Sequence, residues 1–145
     1  MHMHRTIRRI ALGMLLCAAM ASAIVANAQD PRASEAQRMA REWLVLTDAN
    51  DGEASWKAAG KQFRDAISTE RWTTSLTKAR VPLGALVQRT LESAQFLREI
   101  PGQPDGDYAL LKFRTAFANK IAAEESVTLQ READGVWRVV GYFIR

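Results

Sequence analysis

Two periodicities divide the chain: apolar residues recur at helical spacing from Ser34 to Ala79, and beyond Gly84 they alternate every second residue. Ser34 and Gln37 form a capping box, after which Met39, Trp43, Leu44 and Leu46 line one face of a first helix. Asp48-Ala49-Asn50-Asp51-Gly52 breaks that run. Trp56, Ala59, Phe63 and Ile67 then mark a second helix capped by Asp51. Ser68-Thr69-Glu70 opens a third, whose stripe of Trp72, Leu76 and Ala79 ends at Pro82 and Gly84.

The alternating half predicts four strands. The first has Val87, Leu91 and Leu97 on its core side and stops near Pro101-Gly102. In the second, Ala109, Leu111, Phe113, Thr115 and Phe117 point inward while Tyr108, Lys112 and Arg114 point out. Val127 and Leu129 face the core in the third, and Trp137, Val139 and Phe143 in the fourth, with Arg138 and Tyr142 outside. Pro104-Asp105-Gly106 and Asp134-Gly135 supply turns, the latter a strong hairpin signal. The expected fold is α+β, with about three N-terminal helices packed on one face of a four-stranded antiparallel sheet.

The first 28 residues belong to neither pattern. Arg5, Arg8 and Arg9 form a basic start, Ile10 to Val25 is apolar, and Ala26-Asn27-Ala28 is a small-x-small cleavage site. This is the pattern of a secretory signal peptide cut near Ala28, and it predicts a periplasmic or secreted product with no permanent membrane anchor. Residues 29–33 read as a short tether and residues 34–145 as one α+β domain.

Removal of the leader changes the chemistry. Both histidines, His2 and His4, and the only cysteine, Cys17, lie within it. Three of the 20 Lys and Arg go with it as well, so the remainder holds 17 basic against 16 acidic residues. A net charge of +1 gives no reason to expect nucleic acid as a partner, and without cysteine the fold relies on packing rather than disulfides. No Gly-rich phosphate loop, metal-ligand cluster or nucleophile elbow is present, so no cofactor, metal or catalytic residue is expected.

Leu83-Gly84, Arg89, Ser93-Ala94, Pro101-Gly102-x-Pro104-Asp105-Gly106-x-Tyr108 and Phe113-x-Thr115-x-Phe117-x-Asn119-Lys120 form a run of motifs. It continues in Glu125-x-Val127-Thr128 and closes on Asp134-Gly135-x-Trp137-Arg138-Val139-x-Gly141-Tyr142. Together they resemble the secreted bacterial family called domain of unknown function 4019, over nearly the whole chain after the leader. The resemblance implies a small periplasmic domain with a cystatin-like or nuclear-transport-factor-2-like layout. It implies no activity and no catalytic residue, since fold alone does not determine function.

Strand alternation places Arg89 and Glu125 on the helix-facing side of the sheet, where an unpaired charge is costly. Two readings stay open: an anchor gripping a ligand carboxylate through the guanidinium fork, or an internal ion pair that sets strand register. Trp43, Trp56, Trp72 and Trp137 fit a packed core or an aromatic cavity. Asp48, Asp51 and Glu53 cluster without the spacing of a calcium loop. On the outer sheet face, Tyr108, Lys112, Arg114, Arg138 and Tyr142 mix aromatic and basic character as partner surfaces do. The expected role is a non-catalytic periplasmic binding or protein-interaction domain, with a protein partner or a homo-oligomer. A small-ligand carrier with a pocket between helices and sheet is the alternative, followed by a histidine-free enzyme using carboxylate and Tyr.

Overall fold

The computed structural model describes residues 31–145, so the expected leader and its expected cleavage site lie outside the described residues. Four helices precede four strands: α1 (Pro31–Asp48), α2 (Gly52–Ala58), α3 (Lys61–Ala66) and α4 (Thr69–Arg80), then β1 (Leu86–Leu97), β2 (Asp107–Phe117), β3 (Lys120–Arg131) and β4 (Trp137–Ile144). The strands form one antiparallel sheet in the order β1-β2-β3-β4. Among the described residues no helix is long and apolar enough to cross a membrane.

Local chemistry accounts for most of the boundaries. α1 already includes Pro31, Arg32 and Ala33, so the described part of the expected tether is helical rather than preceding a start at Ser34, and proline is tolerated in a first helical turn. Asp51 caps α2 by accepting from the Ala54 amide at 2.9 Å, and Ser68 caps α4 by accepting from Arg71. The expected second helix is two short ones. At Gly60 the backbone turns extended and its N–H donates to the Val139 carbonyl of β4 at 2.7 Å, which a continuous helix would forbid. A Cβ on Gly60 would lie 2.9 Å from Val140, so only glycine brings α3 this close to the sheet. Past α4, the 3-10 turn Val81–Leu83 holds Pro82, and Gly84 at φ +74 turns the chain into β1.

Ala109, Leu111, Phe113, Thr115 and Phe117 are all buried, as are Val127, Leu129, Trp137 and Val139. Trp43, Phe63 and Trp72 meet them from the helices, with Phe63 and Trp72 edge to face at 4.9 Å between ring centres. Three of the four indoles are satisfied: Trp43 donates to the Ser55 carbonyl, Trp72 to the Ser55 hydroxyl and Trp56 to the Ile67 carbonyl.

Three expected core positions lie outside, and bulges explain them. The β1–β2 register slips between Leu86 and Gln88 and again between Leu91 and Ser93. Val87 is therefore 68% exposed and Leu97 is also turned out, while Leu91 packs against the core as expected and Phe96 joins it. In β4, Thr128 faces Gly141 but Leu129 faces Val139, leaving Val140 as the extra residue. The extra residue exchanges faces for everything after it: Phe143 is 69% exposed, and Tyr142 packs against Trp43 and Trp72.

Candidate functional site

The last residues of two apolar helix stripes carry charge into the core. Asp48 follows Ala40 and Leu44 at intervals of four on α1, and Arg80 follows Trp72 and Leu76 on α4. Asp48 holds Arg89 of β1, which in turn holds Glu125 of β3, and Arg80 joins them through Asp48. Arg89 uses every nitrogen: Nε donates to Glu125 Oε1 at 2.6 Å, while Nη1 and Nη2 donate to the two Asp48 oxygens at 2.8 and 2.9 Å. Thr115 of β2 donates to the same Glu125 oxygen at 2.7 Å, and the Tyr142 hydroxyl donates to the other.

Arg80 completes the set. Its Nη2 donates to Asp48 at 3.3 Å and Nη1 to the Gly84 carbonyl at 3.1 Å, with the guanidinium lying 4.3 Å above the Phe117 ring. Two carboxylates and two guanidiniums balance, so the cluster is formally neutral. Burial opposes the charge on Arg89, but the hydrogen bonds and charges of Asp48 and Glu125 outweigh it and raise its pKa above the ordinary arginine value. Burial, reinforced by the Glu125 charge, pushes the Tyr142 phenol well above its usual range and keeps it a donor.

Arg89 and Glu125, paired by alternation alone, do meet. Asp48, Arg80, Thr115 and Tyr142 are additional members that this pairing missed, although a charged residue ending an apolar helix stripe is a signal visible for both Asp48 and Arg80. Glu125 is 0% exposed and both its oxygens are bonded within the protein, so a substrate reaches it only by opening the core. The acidic trio of the α1–α2 region is divided among separate tasks: Asp48 holds the arginines, Asp51 caps α2, and Glu53 pairs with Lys57.

The expected partner surface is rearranged. Tyr108 is not outside but fully buried; its hydroxyl donates to the Pro104 carbonyl at 2.5 Å and accepts from Gln62 of α3. Tyr142 belongs to the internal cluster, because the β4 bulge turned it inward. Arg138 stays near the surface, held by Glu132 and by both oxygens of Asp134, whose hydrogen bonds raise its pKa. Lys112 lies 3.8 Å from Glu124, and Arg114, its side chain 75% exposed, donates to Glu92 at 2.6 Å.

Around Lys112 and Arg114 the outer face is open. Cross-strand partners bring Ser93, Lys112, Ser126 and Phe143 into one row across the four strands. Beside Arg114 an open groove of about 460 Å³ is lined by Glu92, Glu124, Arg145 and Ile121, the last 83% exposed. A second, more apolar cleft of about 200 Å³ lies between α1, α2 and β4, walled by Met39, Trp43, Leu46, Trp137 and Val139.

No curated protein and no solved structure matches the chain. A family model described as protein of unknown function (DUF4019) matches residues 39–142, from the middle of α1 to the tyrosine that closes the internal cluster. The chain belongs to that family.

Proposed function

We propose that this chain is a non-catalytic protein-interaction domain, exported to the periplasm by its leader, that docks a protein partner on the open face of its sheet. The observation that carries this reading is the exposure of Phe143 and Ile121 on a face where Lys112 and Arg114 are already paired. Large apolar side chains in a mosaic with arginine and hydroxyl groups are the composition of interface cores. The internal cluster supports the same reading from the other side, because the Asp48, Arg89, Thr115, Glu125 and Tyr142 side-chain groups are spent on one another.

The test is a photo-reactive phenylalanine placed at position 143 in cells, with the same group at Ser75, an exposed position on α4, as the control. A discrete heterologous adduct from position 143 that is absent from Ser75 is the expected result. Equal, diffuse labelling from both positions would remove the basis for the proposal.

One observation favours small-ligand carriage as a second reading. The buried Trp137 indole N–H has no partner among the described residues, and Trp137 lines the cleft between α1, α2 and β4. A ligand offering an apolar body and one acceptor fits such walls. Saturable quenching of tryptophan fluorescence by an apolar carboxylic acid, lost in Leu46→Arg, is the result this reading requires.

A further inference from the structure

The two edges of the sheet are finished differently. β4 receives the Gly60 N–H of α3 at Val139, and the Lys61 amide beside it donates to Glu132. β1 pairs with β2 alone among the described strands, and eight of its 12 residues are exposed. Edge strands are ordinarily protected by lysine, proline, a covering element, a bulge or an inward-pointing charge. β1 contains neither lysine nor proline, and its protection is confined to its two bulges and the inward-pointing Arg89.

Its sequence is Leu-Val-Gln-Arg-Thr-Leu-Glu-Ser-Ala-Gln-Phe-Leu, in which the stretch from Gln88 to Gln95 has glutamine at both ends and a hydroxyl residue, Thr90 or Ser93, two places in from each. Laid antiparallel on itself about the Leu91–Glu92 bond, it sets Gln88 against Gln95 and Thr90 against Ser93; the matched stretch ends there, because the slip between Leu86 and Gln88 leaves Leu86 on the core side and Leu97 outside. No like charges face each other, since Arg89 meets Ala94 and Glu92 meets Leu91.

The bulge makes this order usable. In a regular strand, positions summing to an odd number lie on opposite faces and cannot pair across an antiparallel ladder. The register slip between Leu91 and Ser93 exchanges the faces of the second half. Arg89 and Ala94 consequently both lie on the core side, opposite buried Thr115 and Leu111, while Gln88 and Gln95 both lie outside, opposite Ala116 and Leu110.

From this we infer that β1 is a homodimerisation edge: two copies of the chain pair β1 to β1 about a two-fold axis through the Leu91–Glu92 bond, giving one continuous eight-stranded sheet. Such an interface is isologous, each residue meeting in its mate the position that meets it in return. The inference is independent of the proposed partner surface, which it would double into a single larger face.

Sedimentation equilibrium of the purified full chain reads the association directly, and a dimer is expected at micromolar concentration. Q88K/Q95K places lysine opposite lysine at two symmetric sites and weakens the dimer by about tenfold or more. Q88K/Q95E restores opposite charges and recovers it, which a merely unfolding substitution would not do. In a Cys17→Ala background, Q88C/Q95C is expected to form covalent dimers on oxidation. The two positions within one strand are about 23 Å apart, too far for a bridge inside one chain. A monomeric wild-type chain, a dimer indifferent to Q88K/Q95K, or a dimer that Q88C/Q95C does not trap overturns the inference. None of these outcomes depends on adducts at position 143, so the two proposals fail separately.

Discussion

Arg89 on β1 reaches Glu125 on β3 at 2.6 Å, passing over β2, whose Thr115 bonds the same carboxylate oxygen. The contact ties three strands together side chain to side chain, and Asp48 extends it to the end of α1. Removing one member of a buried ion pair is costly because the other is left charged without compensation.

Arg89→Met strips Glu125 of its only cationic partner in the cluster and is expected to destabilise by about 3–5 kcal/mol. Glu125→Gln leaves Arg89 its two bonds to Asp48 and costs less, about 1–3 kcal/mol for imperfectly satisfied buried groups. Urea denaturation of both variants checks the order. A smaller loss for Arg89→Met than for Glu125→Gln contradicts the geometry.

Tyr142 links this cluster to pH. Its folded phenol is raised far above the ordinary value of 10.0, mainly by burial and then by the Glu125 charge. Above pH 10 the unfolded chain releases that proton while the folded chain keeps it, so stability is full below the unfolded pKa and falls as pH rises past it. The slope attributable to Tyr142 is about 1.4 kcal/mol per pH unit. Tyr142→Phe is expected to start about 1–3 kcal/mol lower at neutral pH, having lost a buried donor, and to decline less steeply in alkali. Parallel slopes for the two proteins would place the phenol in contact with solvent.

Gly60 is the point where α3 joins the sheet. Its backbone angles suit any residue, so the constraint is steric: an added Cβ meets Val140 at 2.9 Å and Arg138 at 3.3 Å. Gly60→Ala is expected to lose about 1–3 kcal/mol through this overpacking, where an open site would gain from the stiffer chain. A more stable Gly60→Ala protein would show that α3 does not pack against β4.

The fold was legible in the chain because its two halves differ in period, and because Asp51, Ser68, Pro82, Gly84 and Asp134-Gly135 act locally. What was illegible depends on contacts distant in sequence. The break at Gly60 is imposed by a carbonyl in β4, and Tyr108 is buried under Gln62 of α3, 46 positions away. Alternation assigns faces by counting, and each bulge adds one to the count. One extra residue in β4 was enough to interchange Tyr142 and Phe143. Within the cluster, Arg89 and Glu125 were readable from strand parity, whereas Asp48 resembled part of an acidic loop until its helix stripe was followed to the end.

That interchange gives the sharpest test of the sheet's two faces. Phe143 is a large aromatic residue on a core-period strand, yet it is 69% exposed, and Trp137 six positions earlier is 1% exposed. Loss of a fully buried large aromatic removes its transfer energy and leaves a cavity, so Trp137→Ala is expected to cost about 3–5 kcal/mol. Phe143→Ser removes a ring already in water and is expected to change stability by no more than about 0.5 kcal/mol. Thermal melts of the two variants beside the wild type decide the matter. If Phe143→Ser melts far below the wild type, the ring is buried in solution, and a second copy or another segment covers the face assigned here as open.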